Sequence, residues 1–266
     1  MKKVISYQHS NISYSISGKG KTVVLLHGFG EDSQIFSSQK NELEKICCLI
    51  IPDIPGSGAS EILHFKKEIL IEDYADAIKT ILLFEKITSC IMLGHSMGGY
   101  ITLHFAEKYP ELLLAFGLIH STALEDSIEK KIIRKKGIDI IGEYGAVHFL
   151  KNITPNLFAE DFRKNKFIKI QNLLNQTAYF NNTSLQQYLH AMMLRKDKTN
   201  ILSSSKVPVL FILGTEDVAT PLNDVLKQTY LPNCSYIHIL ENVGHMSMLE
   251  DEHNLNKFLL HFIESI

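Results

Sequence analysis

The chain has no tryptophan, and its four cysteines, Cys47, Cys48, Cys90 and Cys234, form no C-x-x-C pair. Without such pairs, a disulfide framework or a zinc ribbon is not expected. Three of the four sit in apolar, strand-like runs, which predicts inert, buried free thiols and a reducing compartment such as the cytoplasm. Charge of one sign is also missing. The net of -2 over 266 residues gives no basic field for nucleic acid. No apolar run reaches the roughly 18 residues of a membrane span, and the first residues lack the apolar core of a signal peptide. No H-E-x-x-H or other metal-ligand spacing occurs, and Gly18-Lys19-Gly20-Lys21 lacks the spacing of a P-loop. Neither a cofactor nor a metal is therefore expected. There is no internal repeat and no low-complexity linker. The length and the 45% hydrophobic content suit one large domain with an insertion, or two small ones.

What is present centres on Ile91-Met92-Leu93-Gly94-His95-Ser96-Met97-Gly98-Gly99-Tyr100. An apolar run ends at a glycine, a serine follows two residues later, and a helical pattern starts beyond two more glycines. A strand turning sharply into a helix with Ser at the turn is a nucleophile elbow, G-x-S-x-G. Small residues flank such a serine because a side chain there would strike the turning backbone.

Buried strand-like runs recur along the chain: Thr22 to Leu26, Cys47 to Ile51, Ser89 to Leu93, Leu112 to Ile119 and Val207 to Leu213. An opening hairpin (Val4–Tyr7 and Ile12–Ile16, around Ser10-Asn11) and an alternating run, Ser235 to Leu240, complete eight strands. Helical patterns at Gln34 to Ile46, Ile71 to Glu85, Ser96 to Tyr109, Pro221 to about Tyr230 and the C-terminal stretch separate them. The expected fold is α/β, with a mostly parallel eight-stranded sheet and helices on both faces. The alternation stops at residues 124–205, which show only helical patterns. This stretch carries 13 Lys+Arg against 8 Asp+Glu, whereas the remainder carries 14 against 21. It reads as an inserted helical cap between core segments 1–123 and 206–266. Its aromatics and methionines suit its own core more than an acyl pocket. Its basic run, Lys130 to Lys136, suits a solvated helix face more than a site for an acidic substrate or carrier.

Five pieces, each ending a predicted strand, together resemble the α/β-hydrolase family. They are His27-Gly28-Phe29-Gly30, Asp53-Ile54-Pro55-Gly56-Ser57-Gly58, Gly94-His95-Ser96-Met97-Gly98-Gly99, Gly214-Thr215-Glu216-Asp217 and Gly244-His245. They span nearly the whole chain and follow the family order Ser, Asp, His. The resemblance implies Ser96 as nucleophile, His245 as the base that takes its proton, and Asp217 as the acid that orients the imidazole. It also implies an oxyanion hole from the backbone N–H groups of Phe29 and Met97. Glu216 is an alternative acid, with Asp217 then capping the next helix. Glu125 or Asp126 would serve if the acid came from the strand before the cap. His27 is expected to brace the oxyanion loop, His95 to be structural, His120 to be structural or to touch substrate, and Asp53 to tie down its own loop through backbone N–H groups.

Within the family, Ser96 argues against dehalogenases and epoxide hydrolases, which place Asp at the elbow. The lack of Trp weakens a haloperoxidase reading, and His-Gly-Phe-Gly is not the triple-glycine loop of hormone-sensitive-lipase relatives. The favoured expectation is a serine carboxylesterase acting on small to medium acyl esters. The alternatives share the triad: a capped enzyme that breaks carbon–carbon bonds or eliminates pyruvate, or a signalling receptor without turnover.

Overall fold

A computed structural model describes residues 1–176 and 179–266. Thr177 and Ala178, within the stretch read as a cap, lie outside the described residues. One sheet holds eight strands: β1 (Lys2–Tyr7), β2 (Ser10–Ser17), β3 (Thr22–Leu26), β4 (Cys48–Pro52), β5 (Cys90–His95), β6 (Leu113–Ile119), β7 (Val209–Gly214) and β8 (Ser235–Leu240). Their order is β1-β2-β4-β3-β5-β6-β7-β8. The β1–β2 and β2–β4 pairs are antiparallel, and every other pair is parallel. The helices are α1 (Ser37–Leu43), α2 (Ile71–Phe84), α3 (Met97–Lys108), α4 (Ile128–Tyr144), α5 (Ala146–Ile153), α6 (Glu160–Asn165), α7 (Phe167–Gln176), α8 (Asn182–Leu194), α9 (Thr199–Ser203), α10 (Leu222–Leu226), α11 (Ser247–Glu250) and α12 (Glu252–Ser265).

The fully apolar strands have a direct packing reason. Successive side chains of a strand point to opposite faces. In β3, Val24 and Leu26 join one core with Tyr74, Ile78 and Phe105 of α2 and α3. Val23 and Leu25 join a second core with Leu43, Leu255 and Phe262 of α1 and α12. A sheet covered on both faces needs no polar alternation. The two edge strands, β1 and β8, alternate in exposure. Because β3, β5, β6, β7 and β8 run parallel, their C-terminal ends lie along one side of the sheet, the usual place for a site in an open α/β fold.

Several boundaries differ from those predicted. The hairpin turns at Gln8-His9, not at Ser10-Asn11, and both turn residues have positive φ, 49° and 65°, as a two-residue type I′ turn requires. The helix expected from Gln34 to Ile46 is a 3₁₀ turn, Ser33–Phe36, followed by α1. The helix expected to run from Pro221 to Tyr230 ends at Leu226. Gln228 is drawn inward there: its amide oxygen accepts the Ala123 N–H at 2.7 Å and its Nε2 donates to Thr122 Oγ1 at 2.8 Å. The C-terminal helix breaks at Asp251, whose side chain accepts from Asn254 N. Between β6 and β7 the described residues form only helices, α4 to α9 and a 3₁₀ turn. Among the described residues no helix is long and apolar enough to cross a membrane. All four cysteines are free; Cys47 and Cys90 are buried, and Cys234 is exposed.

Candidate active site

A sharp turn joins β5 to α3. Ser96 has φ 51° and ψ -115°, a conformation that costs a non-glycine residue energy. Its surroundings hold it there. Ser96 N donates to Ile119 O at 3.0 Å, and Ser96 O accepts from Gly99 N at 2.9 Å and Ser121 Oγ at 2.7 Å. A Cβ on Gly94 would lie 2.2 Å from Gly98 O, and one on Gly98 would lie 2.3 Å from Leu26 O. The flanking glycines are thus needed for close approach, as the motif implies.

Ser96 and His245 line one cavity of about 280 Å³, with Phe29, Tyr100, Phe149 and Met192 among its other walls. A larger open depression, about 720 Å³, lies around Gly58 and Phe180 and contains neither residue. Met97 is the first residue of α3, so its N–H is one that a helix leaves without an internal partner. Phe29 lies in the loop after β3. Gly28 there packs against the elbow, with space for a Cβ only 3.1 Å from Ser96 Cβ.

His245 is buried and fixed on three sides. Its Nδ1 lies 2.8 Å from Asp217 Oδ2, its N donates to Leu157 O at 2.7 Å, and its O accepts from His95 Nε2 at 2.9 Å. With Nδ1 held by the carboxylate, Nε2 is the ring nitrogen left to act as base. Asp217 is buried, yet it is held well below the usual carboxylate range. Burial works against this, but the charge of His245 and the hydrogen bonds from His120 and His245 outweigh it. Glu216 is exposed and accepts Glu160 N at 3.0 Å, away from His245. Asp126 pairs with Arg134 and Arg195, and Glu125 with Lys131. None of these three alternative acids reaches the histidine.

The expected braces are present. His27 Nδ1 lies 2.9 Å from Gly28 O, and its Nε2 meets Ile54 N at 2.9 Å and Ser57 Oγ at 2.8 Å, tying two loops together. Asp53 accepts Ala59 N and Ser33 N, each at 3.0 Å.

A family model of the alpha/beta hydrolase fold matches residues 21–136. The pimeloyl-[acyl-carrier protein] methyl ester esterase of Chromobacterium violaceum is 30% identical over 236 residues, covering 80% of this chain and 82% of that protein. The chain belongs to the α/β-hydrolase family. A second relative of this hydrolase, the 2-hydroxy-6-oxo-6-(2'-aminophenyl)hexa-2,4-dienoic acid hydrolase of Metapseudomonas resinovorans, is 24% identical over 257 residues, with 94% and 86% of the two chains covered. In fold, it matches a thermophilic esterase from Thermogutta terrifontis with a TM-score of 0.93 at 22% identity, over 100% of this chain and 98% of that one.

Three residues near the hydrolase's site were not singled out by sequence, or only in part. Glu31 is buried, accepts Gly28 N at 2.7 Å and meets His95 Nδ1 at 3.0 Å. Burial raises its carboxyl, but the charge and hydrogen bond of His95 prevail and hold it low; Glu31 in turn raises His95. His95 is therefore structural as expected, and it also holds the His245 backbone. Glu31 stands four residues after His27 in a conspicuous loop, but nothing in the spacing marks an acid there as buried. His120, at φ 47°, places Nδ1 3.1 Å from the same Asp217 oxygen. Burial lowers its pKa to about 4, so it is neutral near pH 7. Ligand atoms of His120, Asp217 and His245 lie within 4.8 Å of one another. The 2.8 and 3.1 Å separations fit two ring N–H groups donating to one carboxylate oxygen.

The helical segment also differs in part from expectation. Phe149, Leu157 and Met192 line the cavity, whereas Phe158 and Phe162 stack on each other and Tyr179 is 92% exposed. The basic run divides by helix face: Lys135 and Lys136 are exposed, while Lys130 and Arg134, four residues apart, line the cavity.

Proposed function

We propose that this protein is a serine hydrolase that cleaves carboxylic esters of small to medium acyl groups. The single observation that carries the reading is Ser96 at φ 51° in a cavity shared with His245, whose Nδ1 is tied to a buried carboxylate. Ser96 Oγ attacks the ester carbonyl while His245 Nε2 takes its proton. Asp217 holds the imidazole in the required tautomer and stabilises the imidazolium. The N–H groups of Met97 and Phe29 receive the oxyanion. His245 then gives its proton to the departing alcohol, leaving an acyl group on Ser96. A water attacks that acyl group with His245 again as base, releasing the acid and restoring the serine. No step calls for a cofactor.

In this reading residues 124–205 act as a cap on a core formed by 1–123 and 206–266, and the cap sets the acyl preference. The free thiols fit a reducing compartment such as the cytoplasm. The test is a series of p-nitrophenyl esters of increasing acyl length, with Ser96→Ala as control. Turnover should favour short to medium chains and fall about a thousandfold or more in the variant. Undiminished turnover in Ser96→Ala would overturn the mechanism. Absence of turnover on every ester would favour carbon–carbon cleavage or a receptor role.

A further inference from the structure

The cavity that holds Ser96 has an unbalanced charge on the wall formed by α4. Arg134 gives Nε and Nη2 to Asp126, the latter at 3.2 Å, and its Nη1 meets a thioether, Met192 Sδ, at 3.4 Å. The Tyr100 phenol also hydrogen-bonds the same guanidinium. Arg195 shares the same carboxylate: its Nη1 lies 2.8 Å from Asp126 Oδ1. Its remaining acceptors are carbonyls, Met192 O and Leu124 O, its guanidinium lies over the Tyr100 ring at 3.9 Å, and its Nε has no partner among the described residues. Two guanidiniums with 4% and 18% exposed side chains therefore share one carboxylate. Lys130 adds a third cation, donating to the neutral Ala219 O at 2.9 Å. Buried Asp217, ionised beside His120 and His245, offsets one of these charges, so the three cations exceed Asp126 and Asp217 by one. Glu31 is matched by His95, Glu125 by Lys131 and Glu107 by Lys198.

A buried excess of positive charge is costly unless an anion joins it. Guanidinium nitrogens facing a mostly apolar cavity are suited to a carboxylate. Tyr100 fixes the distance scale. It lies one helical turn beyond Ser96 on α3, about 6 Å along the axis. Between the two ends the walls are apolar: Phe29, Phe149, Leu189 and Met192.

We propose that Arg134 and Lys130 form an anion subsite in the acyl pocket, and that the substrates are monoesters of short aliphatic dicarboxylic acids. The free carboxylate binds Arg134 Nη1 and Lys130 Nζ, and the esterified carboxyl lies at Ser96. This deepens the ester-hydrolase reading and rests on it for the chemistry, but binding itself does not require turnover.

The experiment separates the two. Binding of monomethyl glutarate to the full-length Ser96→Ala protein is measured by calorimetry, beside methyl butyrate. The expected result is binding of the anionic ester at least ten times tighter than the neutral one, lost to a similar degree on adding Lys130→Gln or Arg134→Gln. Lys135→Gln, on the exposed face of the same helix, should keep the tenfold preference. Arg134→Lys, which retains the charge, should restore part of what Arg134→Gln loses; this also controls for misfolding. Equal affinity for the two esters, or a preference unmoved by either glutamine, would overturn the subsite. Tighter binding of acetoxyacetate, with its carboxylate on the alcohol side, would also overturn it. Hydrolysis of the same esters by wild-type protein is read separately. If anionic esters bind as stated but are not turned over, the hydrolase reading fails and the subsite stands.

Discussion

Asp217 accepts from five donors: Ala219 N and Thr220 N on Oδ1, and Thr220 Oγ1, His120 Nδ1 and His245 Nδ1 on Oδ2. A carboxylate so surrounded stays ionised and fixed, which is what a base histidine needs from its partner. Asp217→Asn should lower kcat by about a thousandfold or more, because the amide can present an N–H and favour the wrong tautomer. Glu216→Gln should leave kcat near that of the wild type, and the reverse pattern would contradict the assignment. Titration offers a second test at this scale. Burial lowers the pKa of both His104 and His120 from 6.5 to about 4. Across that window the unfolded chain takes up protons that the folded chain does not, so stability is complete above it and falls as pH drops through it. In urea denaturation, His104→Gln should therefore give a shallower loss between pH 6.5 and 4. An unchanged slope would show that His104 does not carry that linkage.

At the scale of elements, the elbow depends on two close approaches, β5 against α3 and α3 against β3. Gly98→Ala would place a methyl 2.3 Å from Leu26 O, and backbone cannot yield there cheaply. The expected cost is about 2 kcal/mol or more by chemical denaturation. Gly142→Ala is the contrasting case. It is exposed in α4, and its Cβ would meet only the flexible end of Gln186 at 3.3 Å, so it should gain about 0.5 kcal/mol. These elements were legible in sequence because buried strands are continuous apolar runs and the elbow carries its own glycines. Their ends were less legible. The α10 helix stops where Gln228 is drawn to Thr122 and Ala123, more than a hundred residues earlier in the chain, and no local pattern encodes such a partner. The turn at Gln8-His9 was missed because the neighbouring Ser10-Asn11 carries commoner turn residues, whereas Gln8 is not a usual positive-φ type.

For the whole molecule, the order of strands brings residues from five separated stretches to one side of the sheet. That much followed from motif order and parallel topology. Which side chains of the helical segment face the cavity did not follow, because α4 carries cations on both its faces and only tertiary packing turns Lys130 and Arg134 inward. Hydrogen bonds tie the segment to the core at many points, several of them close to the cavity. Tyr188 Oη donates to Pro55 O at 2.8 Å and Ile54 O at 3.2 Å, His245 N donates to Leu157 O, and Lys130 Nζ donates to Ala219 O. Tyr188→Phe should cost about 1 kcal/mol of stability, and on the proposed function KM for esters should rise more than kcat falls, since Tyr188 packs on the cavity wall at Phe29 and not on Ser96, Asp217 or His245.

The central claim is that Ser96 becomes acylated. The most direct measurement is labelling with a fluorophosphonate, followed by mass spectrometry of the digested protein. One adduct per chain is expected on the peptide containing Ser96, formed much more slowly in His245→Ala. An adduct on another residue, or none on folded wild-type protein, would contradict it.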